Sequence, residues 1–251
     1  MEQGEGNYYF VADVHLGMKS DREGLREKAF TEFLDSLPED TKAVYFLGDI
    51  FDFWVDYKEV VPRGFTRVLG RLAALSDRGV KLVFFKGNHD WWMTDYFKKE
   101  FGAEIVEEPC RVMQIGPYNF CLGHGDVLGC SDPKARLIFK LFRNKTLIAL
   151  MKALPSRWIL GFAHNWSAKS RKGHSDYAFN AEGSDIQKFA EEKGRILPID
   201  YYVFGHFHRA QTLPVRSGGQ LILLGDWSEG PNYLNLSGMY ISGRGFPNIQ
   251  R

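Results

Sequence analysis

The sequence predicts an α/β fold in which a mixed system of β-sheets is flanked by helices. Short runs rich in β-branched and aromatic residues alternate with helical periodicities from Tyr8 to Phe85, the pattern of βαβ units. After Ala103 the runs shorten and tight-turn signals separate them, the pattern of antiparallel hairpins. Four of five short motifs rich in His, Asp, Asn and Gly directly follow an apolar run. Ligand-type side chains therefore gather at strand ends, where open α/β sheets bind their ligands.

Residues 8–12, 43–47, 82–85, 120–122 and 201–204 carry no charge and lack the polar alternation of a half-exposed strand, so each is expected to be buried on both faces. Between the first two, Leu25, Phe30, Phe33, Leu34 and Leu37 recur near i, i+3, i+4, i+7 spacing. Phe65, Val68, Leu69, Leu72 and Leu75 repeat the pattern before the third, and both predict amphipathic helices. Residues 111–115 and 118–122 flank Gly116-Pro117, and the stretch 210–241 has turn signals at Ser217-Gly218-Gly219 and Leu236-Ser237-Gly238, which predicts hairpins.

Residues 133–154 read as one helix, with Arg136, Lys140 and Arg143 along a cationic stripe and Ile138, Leu141 and Phe142 pointing elsewhere. Pro155 opens a second helical segment, residues 156–162, with Trp158, Ile159, Leu160 and Phe162 at its apolar end. No internal repeat or linker interrupts the chain. A single domain over residues 1–251 is expected, with a helical insert at about 133–175.

The 251 residues, 44% of them hydrophobic, are enough to bury a full core. Cys110, Cys121 and Cys130 form no CxxC pair, so a disulfide framework is not expected and a reducing compartment fits. Residues 1–7 are acidic and Gly-rich, which does not suggest a secretory signal. No uncharged apolar stretch approaches the roughly 18–20 residues of a spanning helix, which leaves surface attachment open. The net charge of +1 hides an asymmetry: residues 133–175 hold ten Lys or Arg and no acid, leaving 22 basic against 31 acidic residues elsewhere. Such a segment points to an anionic partner.

The motifs are Asp13-Val14-His15, Gly48-Asp49 with Asp52, Gly87-Asn88-His89-Asp90, Gly123-His124-Gly125-Asp126 and Gly205-His206-Phe207-His208; they hold five of the seven histidines. Asp13 and His15, two residues apart at a strand end, project to one side and can hold one ion. Asp49 offers two oxygens that can bridge two ions. Asn88 adds a neutral oxygen, His124 and His206 add imidazole nitrogens, and His208 reaches back toward the first ion. Mixed N and O ligation suits Mn²⁺, Fe²⁺ or Zn²⁺ better than Ca²⁺. Two ions roughly 3.5–4 Å apart would activate a water and clamp a phosphoryl group.

The blocks DVHLG, GDIFDFW, GNHD, GHGD and GHFHRA, running from residue 13 to residue 210, resemble the signature blocks of calcineurin-like metallophosphoesterases. The resemblance implies a sandwich of two mixed β-sheets flanked by helices, with an inserted helical lid. It also implies a centre of two divalent metal ions, with Mn²⁺ the first candidate. Asp13, His15, Asp49 and His208 would hold one ion, and Asp49, Asn88, His124 and His206 the other. His89 would be the general acid or transition-state stabiliser, oriented by Asp90 and adjacent to Asn88. Asp52 and Asp126 would orient ligands.

The segment after GHGD is similar to the lid of the UDP-2,3-diacylglucosamine pyrophosphatases of lipid A synthesis; GDIFDFW and Gly225-Asp226-Trp227 are also family-like. This narrower resemblance implies cleavage of a lipid nucleotide sugar to UMP and 2,3-diacylglucosamine 1-phosphate by water attack at the α-phosphorus. It further implies a cytoplasmic enzyme held peripherally on the inner face of the inner membrane, with no nucleic acid as partner. Asp132 would contact the sugar; Asn165, Ser167, Lys169, Arg171 and Lys172 the sugar and diphosphate. Arg157, Trp158 and Phe162 would complete the substrate site, the two aromatics facing acyl chains. One position departs: well-known members carry Arg after the motif Asn, and this chain has His89, as the wider superfamily does. A soluble metallophosphoesterase acting on another nucleotide, a phosphodiester or a nucleic acid is the alternative. A non-catalytic binding module is the third reading, and the complete ligand set argues against it.

Overall fold

The computed structural model describes residues 6–21, 23–57, 60–130, 133–142, 144–152 and 179–246. In chain order the first half gives β1 (Asn7–Val11), α1 (Leu25–Asp35), β2 (Thr41–Leu47), α2 (Thr66–Asp77), β3 (Lys81–Phe85), α3 (Tyr96–Phe101), β4 (Glu104–Val106), β5 (Cys110–Ile115) and β6 (Tyr118–Gly123). Then come α4 (Pro133–Phe142), α5 (Lys145–Lys152), α6 (Asp185–Gly194), β7 (Tyr201–Phe204), β8 (Gln211–Pro214), β9 (Gln220–Leu223), β10 (Tyr233–Ser237) and β11 (Tyr240–Arg244).

The strands form two mixed sheets, one of six strands ordered β11-β10-β1-β2-β3-β4 and one of five ordered β5-β6-β7-β9-β8. Strands β1 to β4 are parallel, as are β6, β7 and β9, while antiparallel hairpins occupy the outer positions. The expected two mixed sheets flanked by helices are what the chain forms.

Side-chain alternation assigns the layers. Phe10, Tyr45, Val83 and Phe85 point from the first sheet into a core shared with Phe120, Leu122, Val203 and Ile222 of the second. Phe10 stacks on Phe120 across that core, with ring centroids 5.1 Å apart. The opposite faces bury Val11, Val44, Phe46 and Phe84 against Phe30, Leu34, Val68, Leu72 and Phe97 of α1, α2 and α3. Tyr202, Phe204, Leu221 and Leu223 pack likewise on Ile186 and Ala190 of α6. Each central strand is therefore buried on both faces because it lies between another sheet and a helix layer.

Three elements were not expected, and one expected helix is divided. Helix α3 and strand β4 have six and three residues, too few to show a period, and charged α6 buries only Ile186 and Ala190. The single helix expected over 133–154 is instead α4 and α5, because Asn144 starts a new helix: its side-chain oxygen accepts from Thr146 N (2.9 Å) and Leu147 N (3.1 Å). Leu137, Leu141 and Leu150 on this pair are exposed, whereas Ile148 packs against Val55 and Trp92. The second segment expected at 156–162 lies outside the described residues. No helix among the described residues is long and apolar enough to cross a membrane.

Candidate metal centre

Five parallel strands of the two sheets end at one place. Asp13-Val14-His15 follows β1, Gly48-Asp49 follows β2, Gly87-Asn88-His89-Asp90 follows β3, His124 follows β6 and Gly205-His206-Phe207-His208 follows β7. Asp13, His15, Asp49, His206 and His208 have φ between 51° and 73°, and among the described residues they are the only non-glycines at positive φ. Such backbone costs about 1–3 kcal/mol per residue and persists only where its surroundings enforce it. All five are ligand candidates.

The motif glycines permit the close packing behind these turns. A Cβ on Gly87 would fall on the Asp49 carboxylate. One on Gly48 would lie 2.6 Å from His124 Nδ1, and one on Gly205 2.5 Å from Asp13 Oδ2.

Asp49 lies at the middle. Its Oδ1 accepts from His89 N at 2.8 Å, and its Oδ2 faces the Nε2 atoms of His124 (3.4 Å), His15 (3.9 Å) and His89 (3.9 Å). On one side, His15 Nε2 is 3.1 Å from His208 Nε2 and 3.8 Å from Asp13 Oδ1, which is itself 3.5 Å from His208 Nε2. On the other, Asn88 Oδ1 is 3.2 Å from His124 Nε2 and 3.0 Å from His206 Nδ1. Asp13, His15 and His208 form one compact donor group, and Asp13, Asp49 and His124 another.

These donor sets fit divalent ions. Bonds of about 2.1 Å at angles between 90° and tetrahedral put neighbouring donors about 3.0–3.4 Å apart, close to the His15–His208, His124–Asn88 and His206–Asn88 separations. Asp13 Oδ1 and His15 Nδ1 are buried without a hydrogen-bond partner, a cost of about 1–3 kcal/mol each unless something else satisfies them. For Asp13 Oδ1, which faces two imidazole nitrogens, a cation would do so. His124 Nδ1 is 2.9 Å from the Leu47 carbonyl, which can only accept. Nδ1 therefore carries a proton, and Nε2 is the atom turned to the centre for ligation.

The electrostatics agree with ligation. Burial holds the His15 imidazole well below its usual range, so it is neutral and able to donate a lone pair. Burial alone would raise Asp49, but His124, His89 and His15 around it override that and hold the carboxylate well below its usual range. The same pair pushes His124 the other way, up to about 10: burial opposes the rise, and Asp49 outweighs it, with Asp13 and Asp126 adding to it.

Around these groups the structure corrects one expectation and adds others. Asp90 does not orient His89. Its carboxylate accepts from Gly87 N (2.9 Å), Asp49 N (3.2 Å) and Ile50 N (2.9 Å), pinning the loops that carry Asn88 and Asp49. His89 is oriented by Asp52, whose carbonyl lies 3.1 Å and carboxylate 3.7 Å from its Nδ1; the same carboxylate is 3.7 Å from His15 Nδ1. Arg26, with no role expected, donates to Val14 O (3.2 Å) and to Asp226 Oδ2 (3.0 Å) behind the Asp13–His15 turn. No local signal marks it. Asp132, Asn165, Ser167, Lys169, Arg171, Lys172, Arg157, Trp158 and Phe162, the expected substrate contacts, lie outside the described residues.

A model of the calcineurin-like phosphoesterase family matches residues 7–210. The chain is 37% identical over 241 residues to UDP-2,3-diacylglucosamine hydrolase of Porphyromonas gingivalis, covering 90% of this chain and 92% of that one. It is 30% identical over 236 residues to UDP-2,3-diacylglucosamine hydrolase of Haemophilus influenzae, covering 94% and 95%. Among solved structures, an archaeal phosphodiesterase aligns with 12% identity and a TM-score of 0.47, covering 95% of this chain and 98% of that one.

Proposed function

The chain belongs to the calcineurin-like phosphoesterase family, and on that premise we propose that it is a dinuclear metallohydrolase cleaving UDP-2,3-diacylglucosamine to UMP and 2,3-diacylglucosamine 1-phosphate. One observation carries the reading: a buried Asp49 carboxylate faces His15 on one side and His124 on the other, in a chain matched over 90% of its length by a hydrolase of that substrate.

Asp13, His15, Asp49 and His208 would hold one ion, and Asp49, Asn88, His124 and His206 the other. When bound, two divalent ions supply a Lewis-acid clamp on the phosphoryl oxygens and a water activated for in-line attack. Mixed N and O donors suit Mn²⁺, Fe²⁺ or Zn²⁺, and Mn²⁺ is the ion proposed from the family resemblance. Asp49 and Asp13 would supply the negative charge and neutral His15 a lone pair, while His124, held protonated by Asp49, would give up its Nε2 proton to the incoming ion. The Asp52 carbonyl, an acceptor only, fixes the proton on His89 Nδ1. His89 Nε2, the ring atom left facing the centre, is placed to donate to the phosphoryl or leaving oxygen. Asp90 and Asp52 keep the loops and the ring in register.

The substrate reading also draws on the segment 133–175, which we propose as a lid inserted into one domain. Ten cations without an acid suit a diphosphate and an anionic membrane face. Exposed Leu137, Leu141 and Leu150 suit acyl chains and peripheral attachment at the inner face of the inner membrane. Asp132, Asn165, Ser167, Lys169, Arg171, Lys172, Arg157, Trp158 and Phe162 remain the proposed contacts on that side.

The test is turnover with Mn²⁺ of UDP-2,3-diacylglucosamine in detergent, beside UDP-glucose and bis(p-nitrophenyl) phosphate. Preferential, UMP-releasing cleavage of the acylated substrate is expected. Preference for the soluble compounds would overturn the lipid assignment and leave a phosphoesterase for another substrate.

A further inference from the structure

A cleft of about 720 Å³ opens beside His208, between the turn that follows β7 and the loops that follow β9 and β11. Its size is that of a small-molecule site, which spans about 300–1,000 Å³. Its character is opposite to that of the lid. The lining side chains are mostly polar, and Ala210 and Pro231 are the only apolar ones apart from glycine.

Most of the polar lining is already committed. Asn232, buried, accepts from Gly225 N (2.9 Å) and donates to Gly245 O (3.3 Å), tying the cleft loops together. Asp226 is neutralised by Arg26 at 3.0 Å and accepts from Ser228 Oγ at 2.7 Å. Gln211 accepts from Ala181 N and donates to Phe179 O. Two guanidinium groups are left over: Arg209 and Arg244, both exposed, with no ion pair among the described residues. Glu229 is the one lining acid apart from Asp226. The floor is rigid, and the uncommitted groups are planar cations that suit phosphate and the face or edge of a planar ring.

At the bond to be broken a lipid nucleotide sugar divides into a nucleoside monophosphate without apolar chains and an acylated sugar phosphate, and only the second needs an apolar surface. The exposed leucines of α4 and α5 offer apolar surface, whereas the cleft beside His208 offers almost none. We propose that this cleft is the subsite for the nucleoside monophosphate half, with Arg209 and Arg244 as its anion- and base-contacting residues. The identity of the nucleotide rests on the function proposed above; the existence of a nucleotide subsite rests on the cleft.

The experiment is inhibition of bis(p-nitrophenyl) phosphate turnover by UMP and, separately, by 2,3-diacylglucosamine 1-phosphate, in wild type and in Arg209→Ala/Arg244→Ala. Both residues are exposed, so the variant should fold, and circular dichroism with Mn²⁺ content checks this. Loss of two charge-assisted contacts is expected to weaken UMP inhibition about tenfold or more, while inhibition by the lipid product changes by less than about twofold. Absence of UMP inhibition in wild type, unchanged UMP inhibition in the variant, or equal weakening of both products overturns the subsite. Failure of the proposed activity reads out differently, as no cleavage of UDP-2,3-diacylglucosamine by an enzyme that still cleaves the aryl diester.

Discussion

The Nε2 atoms of His15 and His208 stand 3.1 Å apart although 193 residues separate them in the chain. Both residues are held at positive φ, and the Asp13 carboxylate oxygen beside them is buried without a hydrogen-bond partner. Packing alone gains nothing from pressing two imidazole nitrogens and a carboxylate oxygen together; a shared cation does.

Asp49→Ala removes the carboxylate that faces both donor groups. Activity is expected to fall by about 10³-fold or more, since several kcal/mol of transition-state stabilisation depend on the pair of ions. Bound metal, measured by elemental analysis, should drop below two per chain. Near-normal turnover with two ions retained would remove Asp49 from the centre.

His89→Gln keeps a polar group of similar reach but cannot transfer a proton as a general acid does. A loss in kcat of about 10²–10⁴-fold is expected with metal content unchanged. Asp52→Asn leaves the carbonyl that holds His89 Nδ1 and removes only the carboxylate charge 3.7 Å from it, so a smaller loss of about tenfold is expected. If His89→Gln changes only KM, the residue binds substrate and does not act in the chemical step.

Metal affinity should climb with pH. In the metal-free protein Asp49 pushes the His124 imidazole up to about 10, so at neutral pH an ion must displace its proton. The sign for stability follows from the same shift. A pKa raised in the folded state contributes stability that is present below the unfolded value of about 6.5 and is lost as pH rises toward 10. Metal-free protein should therefore lose stability across that window, and the gain in Tm on adding Mn²⁺ should widen. Calorimetry in two buffers of different ionisation enthalpy should register proton release; a pH-independent affinity would contradict the assignment of His124.

Replacing Leu137, Leu141 and Leu150 together with Ser should cost little stability, because all three are exposed by 56% or more. KM for the acylated substrate is expected to rise by about tenfold or more, each leucine contributing a part of the 1.5–3 kcal/mol of full burial. The short aryl diester should be affected far less. Equal effects on both would argue against acyl contacts on α4 and α5.

The grouping of the proposed ligands was legible in the sequence because each motif is local: the glycine that allows the close approach sits beside the candidate ligand. Gly87 and Gly205 are adjacent to Asn88 and His206 for this reason. The strands were legible because burial on both faces leaves uncharged runs. The supporting contacts were not, since they join distant positions. The Asp90 carboxylate turns to the backbone of Asp49 and Ile50, about forty residues earlier, and Arg26 reaches Asp226 two hundred residues on. Asn144 shows the opposite limit: helical periodicity continues across it, and only its side-chain cap reveals the break between α4 and α5.

Hydrolysis of UDP-2,3-diacylglucosamine in ¹⁸O-labelled water, with both products analysed by mass spectrometry, tests the central claim most directly. One ¹⁸O is expected in UMP and none in the lipid sugar phosphate, because the attacked phosphorus is the one that leaves with the nucleoside. Label in 2,3-diacylglucosamine 1-phosphate, or no cleavage by the metal-loaded enzyme, would contradict it.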